Sequence, residues 1–246
     1  MTDAPSSSAT IKRAAPVKPA ARALVLVDPR GAFTAAAARP LWGLGVVVML
    51  AFAVLPALVF VARADTHALV KRELVKSGKL EAIPAEQRET VIDVGGKGMK
   101  IAFPIGAAAK RSIWMTIVTL VCLGLLKGSR PELKMGPVAG VVAVAMAPLA
   151  LQDVLTAVTF FTKDATQLDP ANPLLANPAA WLGLDSAHTV GGALLRGLDF
   201  FELWSCALVG IGVNIAASTR SSLPYLVAFG GHVLATVGSA IGPAFS

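Results

Sequence analysis

The sequence predicts an all-α polytopic membrane helix bundle with five transmembrane helices, and three observations carry that expectation. Hydrophobic residues make up 55% of the 246 positions and charged residues only 15%. The mean hydropathy is +0.67, more apolar surface than a soluble domain of this size needs for its core. The apolar residues also gather into runs close to the ~20 residues that cross a hydrocarbon core, and short stretches rich in Lys and Arg separate most of them.

The net charge of +7 and a pI near 9.7 could suit a nucleic acid. The basic residues, however, sit in the N-terminal stretch and in short connections rather than on an amphipathic domain, so nucleic acid is set aside in favour of anionic lipid headgroups. The two cysteines, Cys122 and Cys206, lie in separate apolar runs. They read as packing residues, with no disulfide framework or metal site, and no cofactor is expected. Residues 1–27 read as a disordered, basic, Ala/Pro/Ser-rich cytoplasmic tail, followed by a membrane domain over 28–242. The first apolar run starts too late for a cleaved signal peptide, so the first span is expected to stay as an anchor.

The first span is expected at about 41–62, kinked by Pro56 because proline removes a backbone donor and crowds the preceding turn. A charged connection over 63–102 follows, taken as an external loop. Within it Leu69, Val70, Leu74 and Val75 recur at helical spacing, which fits either a helix on the membrane surface or a solvated helix packed on its own loop. The second span is placed at about 103–126, with Lys110 and Arg111 inside its outer end, where long stems can snorkel or meet acidic partners. The third runs over about 136–161 with Pro148 in its middle and Gln152 and Asp153 beyond it. A second external loop covers 162–196, and its Pro/Asn-rich part with Leu174, Leu175, Trp181 and Leu182 suggests an interfacial or partly re-entrant segment. The fourth and fifth spans are expected at about 197–217 and 223–241.

Orientation follows from the Lys/Arg-rich connections, which belong on the cytoplasmic side. Lys12, Arg13, Lys18, Arg22, Arg30 and Arg39 precede the first span; Lys127, Arg130 and Lys134 lie between the second and third; Arg220 lies between the fourth and fifth. With five spans these regions share one side, so the N-terminus is expected in the cytoplasm and the C-terminus outside. The basic residues of the 63–102 connection run against the rule.

Polar residues inside apolar runs are the candidates for function. Asp199 and Glu202, three apart on one helix face, join Asp153 as carboxylates at similar depth, with Lys110, Arg111 and Arg196 as cations at that level. They form either an ion, proton or polar-solute path, or a set of helix-to-helix ion pairs and caps, because unpaired charge in lipid costs several kcal/mol. Asp199 near a helix start also suits the helix dipole. Gln152, Asn214 and His232 are candidates for interhelical hydrogen bonds, His232 alternatively for proton relay. His67 and His188 give no ligand spacing with it. Small residues four apart, Gly136–Gly140, Ala139–Ala143–Ala147 and Gly231–Ala235–Ser239, mark candidate helix-packing faces. The stretch VGGKGMK at 94–100 lacks the phosphate-loop pattern, and the nucleophile-elbow and zinc-protease motifs are missing from the sequence, so no catalytic or metal residue is nominated.

Two segments resemble the Yip family (Ypt/Rab-interacting membrane proteins), in its bacterial branch. DPRGAFTAAAARPLW at Asp28–Trp42 is similar to the Asn/Asp-Pro-Arg…Phe…Pro opening of those proteins, and LLRGLDFFELWSCALVGIGV at Leu194–Val213 to their Leu-Asp-x-Phe-x-Leu-Trp segment. The resemblance implies five spans with a cytoplasmic N-terminus, residence in a bacterial cytoplasmic membrane and no established catalytic activity. The Asp-Leu-Tyr-Gly-Pro signature of the eukaryotic branch is replaced here by Asp199-Phe200-Phe201-Glu202, which argues against Rab-type partnering. The expected function is a non-enzymatic scaffold or accessory subunit of a membrane trafficking or export complex, partnered by the bilayer and by other membrane proteins or itself. The alternative is a small ion or solute transporter or channel built on the acidic layer.

Overall fold

The structure is a computed structural model that describes residues 25–164, 173–184 and 189–244. The expected disordered tail falls almost wholly on residues 1–24, and His188 and parts of the second external loop on 165–172 and 185–188, all outside the described residues.

Among the described residues the first α-helix falls where the sequence suggests only an approach to the first span. Asp28 caps α1 (Pro29–Ala38) by accepting the Gly31 amide at 2.9 Å, and Pro29 suits the first helical turn. The alanine run of α1 packs Ala32, Phe33, Ala35 and Ala36 inward. Phe33, fully buried, meets the bare backbone of Gly212, where an added Cβ would lie 2.9 Å from its ring.

α2 (Trp42–Arg63) is the first apolar span and runs unbroken through Pro56. α3 (Thr66–Lys76), capped by Asp65, and the single turn α4 (Lys79–Ala82) lead into α5 (Ala85–Lys127). The helix that carries the expected second span therefore begins at Ala85, well before Phe103, and runs for 43 residues, about 65 Å and twice a hydrocarbon core, with the expected span as its second half. Charges of both signs at helical spacing, such as Asp93 and Lys97 with Nζ 2.6 Å from Oδ2, support a helix in water as well as a loop. Most of the expected external loop is thus helix, and α3 lies on it: Val70 fits over Gly95, and Thr66 and His67 over Gly96. Leu69 also joins Phe60, Phe103 and Phe160, so α3 packs on α5 and on the end of α2.

The third span is divided into α6 (Met135–Ala145) and α7 (Ala147–Thr162) at Met146. Pro148 cannot donate to the carbonyl four residues back, which explains the break. Beyond it stand α8 (Pro178–Trp181), α9 (Val190–Arg196), α10 (Phe200–Ala216) and α11 (Leu223–Ala244). Gly197, expected to open the fourth span, instead caps the end of α9, and α10 starts only after Asp199.

Among the described residues, four helical stretches are long and apolar enough to cross a membrane: 42–63, 85–127, 135–162 and 223–241. A fifth appears if α9 and α10, bent by 48°, count as one broken span. The α6–α7 span is the central post, with 61% of its apolar window buried against 17–28% in the other three. Around it lie Phe33 of α1, Val118 and Leu126 of α5 and Val209 and Val213 of α10, all within one core. The exposed Leu, Ile and Val of α2, α5 and α11 form the surface a bilayer would cover.

Candidate functional site

Above that apolar core the polar residues of α5, α7, α10 and α11 come together. Counted from the ends nearest the basic connections, Arg111 lies about 24 Å along α5 and Glu202 about 21 Å along α10. Both would stand inside a core of roughly 30 Å.

Arg111 donates from Nη2 to both oxygens of Asp153, at 3.0 and 3.3 Å. Both side chains are almost enclosed, at 12% and 13% exposure, and the pair ties α5 to α7. Its buried Nη1 has no hydrogen-bond partner among the described residues. Glu202 is shared: one oxygen lies 3.5 Å from Lys110 Nζ and the other 3.6 Å from His232 Nδ1, joining α5, α10 and α11. Lys110 is the open end of this chain, with its side chain 76% exposed.

Asp199 is the buried hinge of the layer. It caps α10 by accepting the amides of Phe201 and Glu202 at 2.9 and 3.2 Å. Its other oxygen takes a hydrogen bond from Gln152 Nε2 at 3.0 Å, and the Asn177 side chain also bonds to it. Phe200 meanwhile donates its amide to the Ala176 carbonyl at 3.0 Å. The Pro/Asn-rich connection is thereby docked on the start of α10 within the described residues. Beside it Leu155, Leu174, Leu175, Trp181, Phe200 and Phe201 line an apolar groove of about 380 Å³.

The antiparallel packing of α10 and α11 positions His232. The Tyr225 ring lies on the bare backbone of Gly210, the Cys206 thiol reaches the Ala228 carbonyl at 3.5 Å, and His232 follows beside Glu202. Its Nε2 is 2.6 Å from the Gly197 carbonyl oxygen. One turn on, Thr236 covers Gly197 so closely that a Cβ there would sit 2.1 Å from a Thr236 methyl.

Of the residues nominated from the sequence, Arg111 and Asp153 form one pair, and Lys110, His232, Glu202, Asp199 and Gln152 form a second set beside it, since Lys110 and Gln152 are the chain neighbours of that pair. Arg196 joins neither: its residue is exposed and makes none of these ion pairs. Asn214 serves another end of the molecule, exchanging two hydrogen bonds with the Ser221 backbone at 2.9 and 3.0 Å to close the turn between α10 and α11. Gly140 abuts the Ala36 carbonyl, Gly136 touches Pro40, and Gly231 faces the Trp114 ring, so these three do sit at close helix contacts. Ala235 and Ser239 are exposed. The stripe on α11 therefore packs inside the chain only at its glycine, the inward face further along the helix being that of Thr236 and Ala240.

Sequence reading misses two partners of the layer, Asn177 and the Gly197 carbonyl. Asn177 before Pro178 carries a local signal, that of a helix cap, and it does accept the Ala180 amide at 3.0 Å. The carbonyl has none, because every residue has one. No metal-ligating group of three or more His, Cys, Asp or Glu occurs among the described residues. No family model, no curated protein and no solved structure matches the chain.

Proposed function

We propose that this protein is a non-enzymatic membrane scaffold or accessory subunit, a member of the bacterial branch of Yip-like proteins, with five spans, a cytoplasmic N-terminus and a location in the bacterial cytoplasmic membrane. The observation that carries the scaffold reading is that each buried charge of the polar layer has an oppositely charged or hydrogen-bonding partner on another helix. Arg111 is held by Asp153, Glu202 by Lys110 and His232, and Asp199 by Gln152 and the α10 amides. Charges paired this way hold helices in register, which suits a rigid platform for another membrane complex. Support for the shared side of the basic connections comes from Arg130, whose Nη2 donates to the Ser218 carbonyl at 2.9 Å and so ties the α5–α6 turn to the α10–α11 turn. The five-span count treats α9 and α10 as one broken span, and the Yip-like assignment rests on the two sequence segments. In native membranes, crosslinking followed by pull-down is expected to recover the same protein repeatedly above background. Repeated recovery of nothing above background removes the scaffold reading.

A transporter or channel is the second reading, and one observation favours it. A helix starts at membrane depth with a carboxylate at its head, next to a carboxylate shared by two bases, a construction used where ions or substrates are held in broken helices. On that reading purified protein in liposomes conducts an ion or small solute, and Glu202→Gln with Asp199→Asn abolishes the flux. Liposomes that show no flux with the unaltered protein dispose of it.

A further inference from the structure

The break between α9 and α10 leaves several backbone acceptors without their helical donors, the Gly197 carbonyl among them. In a continuous helix the Gly197 carbonyl would receive the Phe201 amide. Here that amide is taken by Asp199 Oδ1 at 2.9 Å, and the carbonyl is met instead by Nε2 of His232 at 2.6 Å. An imidazole thus replaces a helical hydrogen bond across a 48° bend.

The same ring meets a second acceptor. Nδ1 lies within ion-pair distance, 3.6 Å, of Glu202 Oε2. A neutral imidazole carries a single N–H and can offer it to only one of these two oxygens, whereas the protonated ring presents an N–H and a positive charge to both sides. Loss of the proton therefore turns a lone pair either toward a carboxylate or toward a carbonyl.

We propose that His232 is a proton-responsive latch on the α9–α10 break: protonated, it holds the bend closed through the Gly197 carbonyl and Glu202; deprotonated, it keeps its one N–H on the Glu202 carboxylate, the stronger acceptor, and lets go of the Gly197 carbonyl, which frees α9 to move against α10. The alternative state is already built into the chain. Once released, the Gly197 carbonyl can pair with the Phe201 amide, provided Asp199 gives that amide up. The bend is a two-state element of the kind that local charge changes bias.

The charges that face the ring are accounted for on every element around it. On α10, Glu202 is the direct partner, and Asp199 is engaged by the Phe201 and Glu202 amides and by Gln152 of α7. On α5, Lys110 competes for Glu202 from its other oxygen, while Arg111 is committed to Asp153 of α7. Arg196 of α9 is exposed, and the other ionisable residue of α11, Tyr225, lies two turns away against Gly210. Lys110 thus holds one oxygen of Glu202 and leaves the other to the imidazole.

The test is a spin-label distance measurement on the full chain in lipid nanodiscs. Labels replace exposed Leu194 of α9 and exposed Val158 of α7 in a background with Cys122→Ala and Cys206→Ala. Across a pH series from about 5 to 8, the parent is expected to gain a second distance population toward the alkaline end. The gain is expected to persist in His67→Gln and His188→Gln and to vanish in His232→Gln. A parent distribution that stays the same over that range overturns the proposal, and so does a change that survives in His232→Gln. If His232→Gln does not fold, the ring ¹⁵N spectrum of the parent decides. Two protonated nitrogens on His232 at the acid end and one at the alkaline end support the latch, and a ring unchanged across the range overturns it.

Discussion

Nε2 of His232 and the carbonyl oxygen of Gly197 are 2.6 Å apart, joining the middle of α11 to the break between α9 and α10. The contact is possible because Gly197 has no side chain. Thr236, one turn beyond His232, occupies the place where a Cβ would be. Gly197→Ala is expected to force the two helices apart and to destabilise the protein by about 1–3 kcal/mol, as overpacking does. Thr236→Gly in the same chain should recover part of the loss. Thermal unfolding in detergent of the two single variants and the double variant measures both effects.

The Arg111–Asp153 pair calls for a different experiment, because its two members are each nearly enclosed. Removing one partner leaves the other charge uncompensated, so Asp153→Leu and Arg111→Met are each expected to cost about 3–5 kcal/mol. The double substitution should cost far less than their sum, since it leaves an apolar contact of similar bulk. A double-mutant cycle read by unfolding separates a helix lock, which shows strong coupling, from two residues that act independently.

Lys110 contrasts with its neighbour. Its side chain is 76% exposed and its contact with Glu202 is 3.5 Å, so Lys110→Met is expected to shift stability by less than about 1 kcal/mol. The same unfolding assay checks it.

Phe33 fixes the short first helix to the bundle. It is fully buried between α1 and the glycine face of α10, and Phe33→Ala should cost about 3–5 kcal/mol. Faster backbone hydrogen exchange is expected in Pro29–Ala38 ahead of the rest of the bundle, because α1 has few other large anchors.

The proposed orientation makes its own prediction. With the buried Cys122 and Cys206 replaced by alanine, a cysteine at Ser77, in the turn after α3, is expected to react with a membrane-impermeant maleimide added outside intact cells. A cysteine at Ser129, in the α5–α6 turn, is expected to react only after lysis. The reverse pattern would invert the topology.

The sequence by itself determined that the chain is a membrane-type helix bundle and roughly where its apolar helices lie. Composition and run length follow directly from the demand that lipid-facing backbone be satisfied within a helix. It also picked out most of the polar layer, since carboxylates and cations inside apolar runs stand out by their cost. The tertiary structure decided what the runs could not express. Whether charged residues 85–102 were loop or helix depended on α3 packing over Gly95 and Gly96, a contact between segments that hydropathy treats alike. Whether residues 197–217 formed one helix depended on Asp199 capturing the Phe201 amide and His232 capturing the Gly197 carbonyl. Which cation met which carboxylate, with Arg111 inside and Arg196 left outside, was set by helix rotation, a quantity that long-range packing fixes and local spacing leaves free.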